Sequence, residues 1–128
     1  MKITESHMEF GEFEESNVFH IEESSQYKLI KTHGVSCCEF ILLRDDKLFL
    51  VEAKESCPRA VREGYPEGEK EKQLKNFQDF ITEITTKMRH TLELYGSVLR
   101  VSPVNSAFRR SMICFRFNSA IRLSFLCK

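Results

Sequence analysis

The stretch FILLRDDKLFLVEAKES, residues 40 to 56, constrains this chain more than any other. Two apolar runs, rich in branched and aromatic side chains, flank the pair Asp45-Asp46. That pattern predicts a β-hairpin closed by a tight two-residue turn, extending over residues 35 to 54 as VSCCEFILLR and KLFLVEAK. With Asp45 and Asp46 at the centre of the turn, Arg44 faces Lys47, Leu43 faces Leu48, Leu42 faces Phe49, Ile41 faces Leu50 and Phe40 faces Val51. One step further, Glu39 faces Glu52. Side chains two apart on a strand share a face, so Lys54 lies on the Glu52 side, within diagonal reach of Glu39.

Two ionised carboxylates about 5 Å apart repel by roughly 3 kcal/mol at an effective dielectric near 20. A raised carboxyl pKa, the neighbouring Lys54 or a bound divalent cation would each relieve that repulsion. Hard oxygen ligands at a strand end suit magnesium, which keeps several waters and needs few protein carboxylates. Solvated strand-end charges are the other reading, and a register slip of one residue would send Glu39 to the opposite face. If the pair does repel, a cation held only by the folded form should raise the melting temperature. On the same reasoning Glu52→Gln should melt higher than the metal-free parent.

After the hairpin, CPRAVREGYPEGE carries two of the three prolines and two of the five glycines and reads as a loop. A long helix is expected from about Glu69 to Tyr95, with Gly96 as its stop. Leu74, Phe77, Ile81, Ile84, Met88, Leu92 and Tyr95 recur at steps of three and four, a stripe expected to lie on the sheet. Lys75, Asp79, Glu83 and Lys87 are expected on its wet side, and Ile81→Ala to cost about 2–5 kcal/mol as a buried truncation. SMICFRF and AIRLSFLCK suggest one or two late strands from about residue 111. In the acidic first third, Phe10, Phe13, Val18, Phe19 and Ile21 fit a strand or a short helix, and QYKLIK fits a strand.

A chain of 128 residues supplies one core and hence one domain. Nineteen basic and nineteen acidic side chains cancel, which excludes attraction to nucleic acid or to an anionic membrane by the field of the whole molecule. The five cysteines and four histidines show no paired zinc-type spacing, so the thiols are expected to be reduced. No stretch is apolar enough for a signal peptide or a membrane span, so a cytoplasmic protein without membrane contact is expected.

CEFILLRDDKLFLVEAKES, followed by a long helix, resembles the core motif of the PD-(D/E)XK nuclease superfamily, in particular its Holliday-junction-resolvase type. In that family an acidic residue starts one strand, a short turn follows, and an acid-x-lysine ends the next strand. Here Glu52 and Lys54 match the acid and the lysine, and Glu39 stands where the family has aspartate, behind Cys38 where proline is frequent. The resemblance implies an α/β domain of three layers, like that of restriction endonucleases, with a mixed central sheet flanked by helices. It implies hydrolysis of phosphodiester bonds in nucleic acid. Glu39, Glu52 and the Ala53 carbonyl would hold Mg2+ or Mn2+, and Lys54 would position water or neutralise charge on the phosphorane. Glu22 or Glu23 would supply a further helix acid, and Gln73 the helix glutamine of some members. Lys70, Lys72 and Lys75, with Arg59 and Arg62, form a candidate phosphate-contacting patch among interleaved glutamates. A homodimer is a compatible assembly. The alternative is a nuclease-fold module that has lost cleavage and serves in binding.

Overall fold

The computed structural model describes residues 1–59, 63, 64, 66–101 and 122–127, of which Val101 and the last six by backbone alone. Its strands are β1 (Ile3–Glu5), β2 (Met8–Phe10), β3 (Val18–Phe19), β4 (Phe40–Arg44), β5 (Lys47–Lys54) and β6 (Arg122–Cys127). Its α-helices are α1 (Ser25–Ile30) and α2 (Glu67–Val101), with short 3-10 turns at Glu15–Asn17, Ile21–Glu23 and Lys31–His33. The protein is thus of mixed α/β class.

β4 and β5 pair antiparallel from Arg44↔Lys47 to Phe40↔Val51, the expected register. Asp45 and Asp46 both take left-handed backbone, with φ of 51° and 56°, which matches the twist that a two-residue hairpin turn needs. The first strand is shorter than the expected 35 to 54 hairpin requires, because Ser36 and Cys38 turn to α2 for their hydrogen bonds. The amide of Ser36 donates to His90 Nδ1 (3.3 Å), and that of Cys38 to Thr91 Oγ1 (2.9 Å). QYKLIK is likewise not a strand. Ser24 caps α1 by accepting from the Tyr27 amide at 3.1 Å, and this local bond outweighs the apolar alternation.

The main sheet has the order β3-β4-β5-β6, antiparallel except for the parallel pair β5 and β6. The crossover between those parallel neighbours contains α2, the usual solution for joining parallel strands. β1 and β2 form a separate ribbon. Because strand side chains alternate, β5 feeds two cores. Leu48 and Leu50 pack with Ile41, Ile21 and the α2 residues Met88, Tyr95 and Val98. Val51 packs on the other face with Phe40, Leu42, Ile3 and Phe10. Tyr27 and Ile30 of α1 join the same core as α2, so both helices cover one face and the ribbon covers the other.

α2 begins two residues earlier than expected and runs through Gly96 to Val101. Packing overrides the intrinsic weakness of that glycine, since Tyr95, Val98 and Leu99 around it are buried. The expected stripe meets the sheet only in its second half. Met88 and Tyr95 are buried, whereas Leu74 and Ile81 are 48% and 45% exposed. The expectation that Ile81 is a core residue is therefore wrong: nearly half of it is open to solvent, and the buried part of the stripe begins only at Met88. Among the expected late strands, β6 is seen, and residues 111–121 lie outside the described part. No helix among the described residues is long and apolar enough to cross a membrane.

A candidate metal centre at the end of the hairpin

Glu52 follows Val51, the last β5 residue with a partner in β4, and its backbone is held from the other side by β6, opposite Phe125. It lies on the α2 face with Leu48 and Leu50 and is fully buried. An isolated buried carboxylate is very costly, so its partners matter. Oε1 accepts from Lys87 Nζ at 2.6 Å, and Lys54 Nζ stands 3.5 Å from the same oxygen. Oε2 has no hydrogen-bond partner among the described residues.

Lys54 is shared. Its ammonium donates to Glu83 Oε1 at 2.7 Å, and this bond is the main reason that Lys54 is held above the usual lysine range and Glu83 below the usual carboxylate range. Glu83 and Lys87 lie one turn apart on α2, so the helix gives each charge of the Glu52-x-Lys54 pair a partner of opposite sign. The sequence reading placed both on the wet side. Glu83 is half-exposed, but the Lys87 side chain is only 19% exposed and points at the sheet. The missed signal is positional, since Lys87 borders Met88 and precedes Thr91 by one turn, on the flank of the buried stripe.

Glu39 sits just before β4, its amide bonded to the Val51 carbonyl at 3.0 Å. The regular ladder stops at Phe40↔Val51, so Glu39 approaches Glu52 from a bend and is not a ladder partner. Burial, then the charges of Glu52 and Glu5, push the Glu39 carboxyl above the usual carboxylate range, and Lys87 works against them. Glu22, in the 3-10 turn of residues 21–23, contributes a further, smaller repulsion to Glu39 and, after burial, helps to push the Tyr27 hydroxyl above its usual range. Of the two candidate helix acids, Glu22 is the one whose charge bears on Glu39. The Ala53 carbonyl, expected as a ligand, accepts from Ser6 Oγ at 3.1 Å. Neither Ser6 nor Glu5 was singled out in the sequence.

Gln73 lies on the exposed half of α2, about 20 Å along the axis from Lys87 at 1.5 Å per residue, and is not part of this cluster. Lys72 and Lys75 are exposed on that same half, with Lys70 partly covered, and Arg59 is exposed in the preceding loop, while Arg62 lies outside the described residues. The thiols of Cys37 and Cys38 are free and buried, and burial pushes Cys38 up to about 12, which leaves it an unreactive packing group. Cys57 is disulfide-bonded, contrary to the expectation of five reduced thiols.

No group of three or more His, Cys, Asp or Glu side chains that could hold a metal is gathered among the described residues. Two carboxylates and a carbonyl nevertheless suit a cation that keeps most of its waters, and the unpartnered Oε2 of Glu52 is an oxygen such a cation would satisfy. Compared with protein-family models, with curated proteins and with solved structures, the chain finds no match.

Proposed function

We propose that this protein is a divalent-metal-dependent hydrolase of phosphodiester bonds in nucleic acid, built on a restriction-endonuclease-like α/β scaffold. The observation that carries the reading is Glu52: a fully buried carboxylate at a strand end, with one oxygen unpartnered, beside Glu39 and Lys54. Such a group is expensive to maintain for structure alone, because a well-packed apolar residue would serve the core better. Glu39 and Glu52 would hold Mg2+ or Mn2+, together with the Ala53 carbonyl. When bound, the cation supplies Lewis acidity to the phosphoryl group. Lys54, partly exposed and anchored by Glu83, places a positive charge where negative charge grows on the phosphorus oxygens and orients the attacking water. Glu22, whose charge bears on Glu39, would be the further acid of the site.

The test is incubation of the purified protein with labelled single-stranded, duplex and branched DNA and with RNA, in magnesium, manganese or EDTA. Metal-dependent cleavage that Lys54→Ala abolishes is the expected result. Absence of cleavage on every substrate would overturn it. A second reading, a module that binds without cleaving, is favoured by one observation, the ammonium of Lys87 on Glu52 Oε1. Binding of nucleic acid that is indifferent to metal would support that reading.

A further inference from the structure

The Lys87 side chain has no part in the mechanism above, yet its contact with Glu52 is the shortest made by that carboxylate. We propose that Lys87 is a built-in counter-cation that competes with the divalent metal for Glu52 and must swing aside before the metal can be held. This inference rests on the metal-site reading of Glu39 and Glu52 and adds a regulatory element to it.

Three observations carry it. First, the Lys87 ammonium and a metal ion want the same ligand, since Nζ sits 2.6 Å from Oε1 of a carboxylate that has no solvent exposure. Both are cations, so they repel one another as well as competing. Second, the Lys87 backbone is fixed while its side chain can leave. Thr91 Oγ1 donates to the Lys87 carbonyl at 2.7 Å and accepts from the Cys38 amide at 2.9 Å, which pins this turn of α2 to the chain leading into β4. The side chain itself is flexible and partly exposed, so displacement needs only rotations about its own bonds. Third, an acceptor waits one turn away. Glu83 is four residues N-terminal to Lys87 on the same helix, the favourable order for such a pair, and it is half-exposed. A displaced Lys87 would join Lys54 on Glu83, and the one ammonium in direct contact with Glu52 Oε1 would be exchanged for one metal ion.

The experiment measures Mn2+ affinity by calorimetry and by paramagnetic resonance of the free ion, on wild type, Lys87→Met, Glu52→Gln and the double variant. Lys87→Met should bind Mn2+ at least tenfold more tightly than wild type, and Glu52→Gln should erase that binding in either background. Equal or weaker binding by Lys87→Met, with loss in Glu52→Gln, would overturn the competition and leave the metal site standing. No binding by wild type or Lys87→Met, or binding indifferent to Glu52→Gln, would overturn both. Glu83→Gln, at an exposed position, gives a check that does not depend on how Lys87→Met folds. It removes the waiting acceptor and frees Lys54 to turn to Glu52, so Mn2+ binding should weaken severalfold; unchanged or tighter binding would refute the exchange.

Discussion

The two halves of α2 share one periodicity and have different fates. From Glu67 to Glu83 no side chain is fully buried, although Leu74, Phe77 and Ile81 continue the apolar seam. From Ile84 onward the same seam, through Met88, Thr91, Tyr95 and Val98, closes on the sheet, and the charged flank at Lys87 reaches the buried Glu52. Periodicity tells which way a helix faces, but burial depends on what lies opposite. A charge beside the seam is a solvated ornament in one half and a partner of the candidate site in the other.

The contrast can be broken by measurement, beginning with the largest effect. Tyr95→Ala removes a buried ring from the packed half and should cost about 3–5 kcal/mol in denaturant unfolding, as for other buried aromatics. Glu52→Gln should lower the stability of the metal-free protein by about 1.5–3 kcal/mol, the range for a hydrogen bond to a charged group. This sign reverses the expectation drawn from the sequence, which had repulsion by Glu39 without the 2.6 Å pair to Lys87. A rise in melting temperature would show that the repulsion still dominates. Thr91→Val strands the buried Cys38 amide and should cost about 1–3 kcal/mol, read by the same unfolding curves.

In the exposed half, Ile81→Ala should change stability by no more than about 0.5 kcal/mol. A larger loss would show that the first half of the seam is covered in solution. The smallest effect concerns Glu39, whose carboxyl is raised in the folded state by burial and by Glu52. A raised acid binds its proton more tightly when folded, so its charge destabilises the fold above the raised pKa and the penalty fades as pH falls below the ordinary carboxylate range. Glu39→Gln should therefore gain slightly in melting temperature at pH 7 and nothing at pH 3. A gain of equal size at both pH values would show that charge is not the cause.

The hairpin was legible because two independent signals agreed: two unbroken apolar runs rich in branched and aromatic side chains, and a turn pair at their centre. Its register then placed Glu52 and Lys54 correctly on one face. Glu39 was less well read, because the chain before Phe40 bonds to His90 and Thr91, partners more than fifty residues away that no local pattern announces. The ribbon of β1 and β2 was missed for the opposite reason. Ser6 and His7 turn with φ of 48° and 56° without the glycine or asparagine that usually marks such turns. Lys87 was misassigned because a stripe defined by apolar residues ignores the long side chains at its margins, which can lie along apolar surface and deliver a charge inside. The restriction-endonuclease-like layering is compatible with the mixed sheet and its parallel last pair, but on the second face the described residues show a ribbon.

The strand pairing also sets an order of assembly. β4 and β5 are neighbours in sequence, so closing their ladder costs little chain entropy and can happen early. Glu52, Ala53 and Lys54 lie past the end of that ladder, and their strand pairing is with Phe125, Leu126 and Cys127 of β6, beyond the whole of α2. Two of the groups that would grip a metal, Glu52 and the Ala53 carbonyl, and the Lys54 beside them thus wait for the most distant contact in the sheet. A partly folded molecule can own a finished hairpin and still lack the candidate site, which is complete only once the last strand has docked.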